Sequence, residues 1–421
     1  MSKKRGLLWF TKDLRTHDNP LIDWPVHHHV EVMALAFAPK NKTAQAKWFV
    51  DQSIEDLRRK FNQQGIHFFV IEGPPEIEIP KWVEKNAIDL VLTQESCNSK
   101  DQLPLHKLAQ VWGPDKLRTF RHQTLIAVEE LPFSISDLPL VFTLFCKLIE
   151  KNISIKAPLD DQLAQLQGFK AQVPESSKLI DLGTPTPPAL LPFELIPGET
   201  GALARLQEYF WQSRAIAHYK ETRNGLLQKN DSSKMSPYLA VGALSPRFLF
   251  QELQKFEAKH GKNESTEWFL FELLWRDYFK FLALKIGPQL FSRQGLSSKS
   301  KSWFEDHAAF ETWKHGNTQL DFVDANMIEL LTTGWMSNRG RQNVASFLAK
   351  SLQIDWTWGA QYFEQSLIDD DTESNWGNWQ YVAGVGTDPR DRIFNIQKQR
   401  EMYDPLSEFC QKWLQQKDGA R

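Results

Sequence analysis

The residues of this chain best suited to chemistry crowd into positions 334–389, which include GWMSNRGRQNVASFL and IDWTWGAQYFEQSLIDDDTESNWGNWQYVAGVGTDP. Trp335, Trp356, Trp358, Trp376 and Trp379 stand there among Asn338, Arg339, Arg341, Asn375, Asn378 and the successive aspartates Asp369, Asp370 and Asp371. A hydrophobic core selects aliphatic residues and rarely accepts amides, guanidinium groups or carboxylates unless they are paired. Indoles interleaved with fixed polar groups suit instead a planar, redox-active ring, which takes stacking partners, edge hydrogen bonds and a route for electrons. Nine of the sixteen tryptophans fall between Trp268 and Trp379, so the enrichment belongs to one region.

Other segments carry polar groups that suit a ligand, each with a plainer alternative. Ser232, Ser233 and Ser236 in NDSSKMS precede a helical stretch, PYLAVGALSP. Free N–H groups and the positive dipole end there favour a phosphate, although simple helix capping explains the same serines. In WFLFELLWRDYFKFLALKIG, Glu272, Trp275 and Arg276 share one helical face. Glu272 with Arg276 reads either as a surface pair or, beside a bound planar ligand, as a hydrogen-bonding or proton-donating carboxyl. Arg341 with Asp369 is a candidate buried ion pair, and Asp371 lies one helical turn from Asn375; a solvated acidic helix end is the alternative for LIDDD. His27-His28-His29 lacks a spaced fourth ligand and reads as a loop, not a metal site.

A chain of 421 residues predicts two domains. Hydrophobic residues at 41% and charged residues at 24% are ordinary for a globular protein. Cys97, Cys146 and Cys410 have neither CxxC nor zinc-type spacing, which argues against a disulfide framework and a structural metal. The start, MSKKRGLLWF, enters a strand-like run by Leu7, and no uncharged apolar run reaches spanning length, so a cytoplasmic protein without a membrane span is expected. Net charge is -2, and from residue 201 onward 27 Lys and Arg balance 27 Asp and Glu, so a nucleic acid would have to be attracted by a local patch.

Positioning these groups falls to two kinds of element. From Leu7 to about residue 128, β-rich runs at 7–10, 30–38, 66–73, 88–93 and 116–126 alternate with helical patterns such as Ala44 to Asn62. The alternation predicts an α/β domain over 1–150 with a parallel, Rossmann-like sheet. No GxGxxG follows the first strand, so an NAD-type site is not supported. Residues 151–200 read as a proline-rich connector, with seven prolines between Ile155 and Thr200. Residues 201–421 read as all-α, with helical patterns at Glu199 to Tyr219, Ser245 to His260, Ser265 to Ile286, Phe322 to Thr333, Gly340 to Ser351 and Gly359 to Ile368.

Taken together, the segments resemble the cryptochrome/photolyase family, and within it the cryptochrome-DASH branch. The motifs that carry the resemblance are WFTKDLRTHDNPLI at 9–22, YKETRNG at 219–225, SSKMSPYLAVGALSPR at 232–247, FELLWRDYFKF at 271–281, FVDANMIELLTTGWMSNRGRQNVASFL at 322–348 and SNWGNWQYVAGVGTDPR at 374–390. They run in family order from about Leu7 to Gln399. The resemblance implies an N-terminal α/β domain and a helical domain that holds FAD folded into a U. It assigns Tyr219, Ser232, Ser233 and Ser236 to the ribityl-pyrophosphate part, with Arg223, Lys234, Met235, Glu272, Arg276 and Asn338 also in the cofactor set. Arg341 and Asp369 would pair beside the isoalloxazine, Asp371 would meet the adenine-ribose side or the flavin edge, and Asn375 would face N5, where an amide tunes the stable redox state. Trp379, Trp356 and Trp303 match the family's electron-transfer chain.

The same resemblance places Glu272, Trp275, Asn338, Arg339, Gln342 and Tyr381 around a flipped pyrimidine dimer. It implies light-driven repair of cyclobutane pyrimidine dimers, with Glu272 and Asn338 at the reacting base, by a monomer that binds DNA. Gln342 and Tyr381 stand where photolyases acting on duplex DNA usually carry methionine and tryptophan, so single-stranded DNA is the expected substrate. Relatives that repair (6-4) photoproducts carry histidines where Asn338 and Gln342 stand, which argues against that chemistry. Trp376 stands where relatives often have tyrosine, and is expected to add an oxidisable ring close to the flavin that opens a side route for electrons. Glu95 matches an acidic residue used for a methenyltetrahydrofolate antenna, or is a surface glutamate after a strand. DNA affinity is expected from Arg339 with Arg293, Lys398 and Arg400. A blue-light photoreceptor that binds FAD and nucleic acid without repairing it is the alternative reading; a flavin oxidoreductase lacks a second nucleotide site.

Overall fold

A computed structural model describes residues 3–113, 115–150, 155–183, 187–191, 193–297, 301–387 and 393–419. Pro185 and Thr186 of the proline stretch, and Asp388 to Arg390 of the last family motif, lie outside the described residues. The apolar runs form strands β1 (Arg5–Phe10), β2 (Glu31–Phe37), β3 (Phe68–Glu72), β4 (Leu90–Gln94) and β5 (Leu117–Phe120), which pair in parallel in the order β5-β4-β1-β2-β3. β1 and β4 are buried on both faces, which is why they read as continuous apolar runs rather than alternating ones. Crossovers run through α1 (Pro20–His27), α2 (Ala44–Gln63), α3 (Pro75–Asn86) and α4 (Ser99–Trp112). The start of α1 is set locally: Asn19 accepts the Leu21 N–H at 3.0 Å, and Pro20 occupies the first turn, where its missing donor costs nothing.

Two expectations change in the next stretch. The 116–126 run is a strand only as far as Phe120, because the Leu125 and Ile126 N–H groups turn to the Asp277 carboxylate at 3.0 and 2.9 Å. The segment read as a connector also joins the sheet: β6 (Gln167–Gly168) pairs with the start of β2 and β7 (Lys178–Leu179) runs antiparallel to β3.

Helices then dominate: α5 (Phe142–Ile149), α6 (Gly198–Leu206), α7 (Tyr219–Thr222), α8 (Ser236–Ala240), α9 (Pro246–His260), α10 (Glu264–Ile286), α11 (His307–Lys314), α12 (Asp321–Thr333), α13 (Asn338–Ser346), α14 (Trp356–Ser366), α15 (Thr372–Ala383), α16 (Ile396–Tyr403) and α17 (Glu408–Gly419). The long helix expected over 199–219 is broken: α6 passes into a π turn at Gln207–Gln212, and Arg214 takes a left-handed φ of 55°. The central helix α10 begins with a reciprocal cap between Asn263 and Thr266.

One apolar core is continuous across both halves, joining Phe10, Ala34, Phe49 and Phe61 to Leu249, Tyr278 and Phe281. A second cluster within the helices holds Trp313, Trp356, Trp376 and Trp379. The halves meet closely at Gly242, where φ is +71° and a Cβ would lie 2.0 Å from the Lys12 carbonyl oxygen. Arg15, buried beside it, donates to the Gly242 carbonyl at 2.9 Å. Gly242→Ala is therefore expected to lower the melting temperature, with at least about 1–2 kcal/mol from the left-handed backbone alone; an unchanged melting curve would mean the two halves separate there without cost.

Candidate functional site

Three consecutive carboxylates organise the site. Asp369 is paired with Arg341 at 2.8 Å and accepts the Ser236 hydroxyl at 2.7 Å. Asp370 meets Lys42, from the loop after β2, at 2.9 Å. Asp371 meets Arg276 at 3.0 Å and Lys280 at 3.2 Å, both on α10. Burial acts to raise the Asp371 carboxyl, but Lys280 and Arg276 outweigh it and hold the group well below the usual carboxylate range. Asp371 also caps α15, accepting the Ser374 N–H at 3.3 Å, so the charge network fixes where α15 begins.

α15 presents Asn375 one turn on and Trp379 a second turn on. The Asn375 side-chain nitrogen donates to the Ala360 carbonyl at 2.9 Å, leaving its oxygen as the uncommitted polar atom. Gly359 on α14 makes room for Trp379: a Cβ there would approach the indole to 2.3 Å. Asn375 and Trp379 line a cavity of about 510 Å³, within the roughly 300–1,000 Å³ of small-molecule and cofactor pockets. The site residues expected from sequence meet around it: Tyr219, Arg223, Ser232, Ser233, Lys234, Met235, Ser236, Arg276, Arg341, Asp369, Asp371, Asn375 and Trp379, together with Glu272, Trp275, Asn338, Arg339, Gln342 and Tyr381.

The lining fits a flavin dinucleotide by its chemistry. Trp335, Phe363 and Trp379 offer flat apolar walls; the serine hydroxyls, Arg223 and Lys234 offer donors and positive charge for a pyrophosphate. Arg339 Nε and Asp370 Oδ1 are buried on this wall without a hydrogen-bond partner among the described residues, as expected of groups that face a ligand or water. Lys234 adopts a left-handed φ of 56°, unusual for a lysine, and its ammonium lies 5.2 Å from the Trp335 ring.

Several expectations need correction. Glu272 does not pair with Arg276; it accepts from Arg223 at 2.8 Å and from Trp268 Nε1 at 3.0 Å, while Arg276 turns to Asp371 and to the Gln123 and Leu239 carbonyls. The helix after the serines, α8, is only five residues long, so its dipole adds little to a phosphate site. Trp376 does not line the cavity; it packs against Trp356 with ring centroids 5.7 Å apart. Trp356 is fully buried and Trp303 partly exposed in that same cluster, behind the cavity wall. Glu95, expected at a separate antenna cleft rather than in this cavity, has its carboxylate engaged by Arg121 and Thr119. Arg293 is taken up by Glu305 and Asp355 at 2.6 and 2.9 Å. Trp268, which reasoning from sequence left out, lies one turn before Glu272, and i,i+4 spacing on α10 was the available signal.

Among the lining residues, burial raises the Glu272 carboxyl, opposed by Arg223 and the Trp268 hydrogen bond. Trp275 is already stacked on Phe142 at 3.6 Å and meets the Tyr381 ring edge-on at 6.3 Å. Arg339 donates to Gln342 at 2.9 Å and Asn224 at 3.1 Å, and lies 4.4 Å over the Tyr403 ring.

A family profile described as the FAD binding domain of DNA photolyase matches residues 269–419, and one described as DNA photolyase matches residues 6–164. The chain is 43% identical to a protein named Cryptochrome DASH from Gloeobacter violaceus, an alignment that covers 100% of this chain and 87% of the relative. The crystal structure of a cryptochrome from Synechocystis superposes with a TM-score of 0.88 at 41% identity, covering 98% of this chain and 89% of that one. A class III photolyase from Agrobacterium tumefaciens superposes with a TM-score of 0.85 at 28% identity, over 98% and 87% of the two chains. No described helix is long and apolar enough to cross a membrane.

Burial pushes Asp277 and Asp370 up to about 6, Asp13 up to about 7 and Glu329 up to about 8. A carboxyl raised on folding keeps its proton longer in the native state, so each of these groups makes stability fall as pH rises from its unfolded value to its folded one. Lys234, lowered to about 8 first by burial, opposes this only above that pH. His122, held well below its ordinary value by burial, opposes the decline up to about pH 6.5, so the melting temperature is expected to fall chiefly between about pH 6.5 and pH 8. Glu329→Gln should flatten the upper part of that decline, and an identical slope in the variant would remove Glu329 as its source.

Proposed function

This chain belongs to the cryptochrome/photolyase family, and on that premise we propose that it is an FAD-dependent enzyme that uses blue or near-UV light to split cyclobutane pyrimidine dimers, preferentially in single-stranded DNA. The observation that carries the reading is that Trp335, Arg341, Asp369, Asn375 and Trp379 on the one hand, and Glu272, Trp275, Asn338, Arg339, Gln342 and Tyr381 on the other, line one and the same cavity. A flavin held by the first set and a base seated against the second would be neighbours with no protein layer between them. Reduced flavin, when bound, supplies the photoexcitable electron; the protein binds, orients and excludes water.

In this reading Arg341 and Asp369 hold the ring edge, fixed by Ser236, and Asn375 offers N5 a hydrogen-bond acceptor because its nitrogen is committed to Ala360. Burial raises the Glu272 carboxyl, against Arg223 and the Trp268 hydrogen bond; in its neutral form the group would donate to a base carbonyl oxygen and stabilise charge arriving there. Arg339, among the lining residues, supplies positive charge for a phosphate. A folate antenna would take Glu95, whose carboxylate is held in place by Arg121 and Thr119.

Glu272→Ala should lower repair per absorbed photon by roughly three- to tenfold, the worth of one ordinary hydrogen bond of about 1 kcal/mol. Glu272→Gln should retain more of it, because an amide still donates. Unchanged yield in the alanine variant, with flavin still bound, would take Glu272 out of the mechanism.

Gln342 is tied to Arg339 and Tyr381 gives a smaller face than an indole, so this lining recovers less of the few kcal/mol that extracting a dimer from a duplex costs. Illuminated, reduced protein is expected to restore base absorbance in a single-stranded oligonucleotide containing a thymine dimer faster than in its duplex. Equal rates would refute the preference, and no recovery on either form would favour a photoreceptor.

A further inference from the structure

The route Trp379, Trp356, Trp303 has a neighbour that it does not use. Trp376, 1% exposed, meets Trp356 edge-on at 5.7 Å and 77°. Its Nε1–H donates to Glu364 Oε2 at 2.6 Å. The Glu364 side chain is 32% exposed and Lys100 lies 3.8 Å from the same oxygen. The Lys100 ammonium also lies 4.4 Å over the Trp376 ring and 3.9 Å over Phe291. An oxidisable ring thus touches the middle of the chain and carries a proton acceptor with access to water.

Charge decides how such a ring can be oxidised. An ammonium over a neutral indole is attracted by the ring's π face, but over an indole radical cation it repels at close range in a buried setting. Lys100 therefore opposes electron loss from Trp376 as long as its proton stays. If the proton leaves with the electron, the ring ends neutral and the repulsion disappears. Glu364 stands at the heavy-atom distance that proton transfer requires, and its partly exposed side chain can pass a proton on to water. Lys42 fixes the Glu364 backbone by donating to its carbonyl at 2.5 Å, and its own charge is matched by Asp370.

We propose that Trp376 and Glu364 form a proton-coupled side branch of the tryptophan chain, which traps an electron vacancy at the middle tryptophan as a neutral radical. The oxidant is the photoexcited, oxidised isoalloxazine, which takes an electron from Trp379; Trp379 is refilled by Trp356. Trp356, now a radical cation, gains one electron from Trp376 and is restored. Trp376 loses that electron and its Nε1 proton: the N–H bond breaks and an O–H bond forms at Glu364 Oε2. Charge separation lasts longer, because return of the electron now requires return of the proton. The inference rests on the proposed role of Trp379, Trp356 and Trp303 as an electron chain.

The test is transient absorption after a laser flash on the full chain loaded with oxidised FAD, without added reductant. Wild type is expected to form a neutral tryptophan radical, more slowly in deuterated buffer. Glu364→Gln, which still accepts a hydrogen bond but cannot take the proton, should lose that component and leave the radical cation. Trp376→Phe should lose it too. Identical neutral-radical signals in wild type and Glu364→Gln overturn the branch while leaving the chain intact; no tryptophan radical in wild type overturns both.

Discussion

The structure around the cavity depends on burying three consecutive carboxylates, Asp369, Asp370 and Asp371. Taking a carboxylate out of water costs several kcal/mol unless a well-placed cation and hydrogen bonds compensate. Here the cations come from separate parts of the chain: Arg341 from α13, Lys42 from the loop after β2, Arg276 and Lys280 from α10. Lys12, after β1, reaches both Asp101 and the Thr372 hydroxyl, and Asn98 donates to Glu373 at 2.7 Å. Neither half of the chain can satisfy this segment alone, so the sheet and the helices are locked in one relative position.

That lock has a geometric consequence for the site. Asp371 caps α15, so anchoring the carboxylates anchors the helix that carries Asn375, Trp376 and Trp379. Residues three and four apart on a helix point to neighbouring but different directions. Trp379 accordingly reaches the cavity, while Trp376 reaches the buried Trp356. Gly359 and Gly377 sharpen the arrangement, since a Cβ at either would come 2.3 Å from Trp379 or Phe279. Dense packing of this kind holds aromatic rings in single orientations, which a redox chain needs more than an ordinary core does.

Much of this was legible from residues alone. The five parallel strands followed from β-rich runs alternating with helical patterns, and the crowd of tryptophans, amides and aspartates marked the place of the cavity. The ion pair of Arg341 with Asp369 was one of two readings of the residues alone, beside a solvated acidic helix end, and the family resemblance pointed to it. What failed were inferences from nearness in sequence. Glu272 and Arg276 share a helical face, yet each has a better-placed partner 49 or 95 positions away, Arg223 for one and Asp371 for the other. The run after β5 reads as strand, but a carboxylate on α10 captures its backbone donors.

The sequence by itself determined the fold class, the family and the kinds of group that surround the cavity, because periodicity, side-chain chemistry and motif order are properties of the chain. Only the tertiary structure decided which cation serves which carboxylate, which face of α15 each indole takes, and that Glu364 and Lys100 meet at Trp376. Those choices depend on distances of a few ångströms between segments far apart in the chain. Electrostatic and hydrogen-bond energies vary steeply over that range, so they are settled only when the two halves have packed.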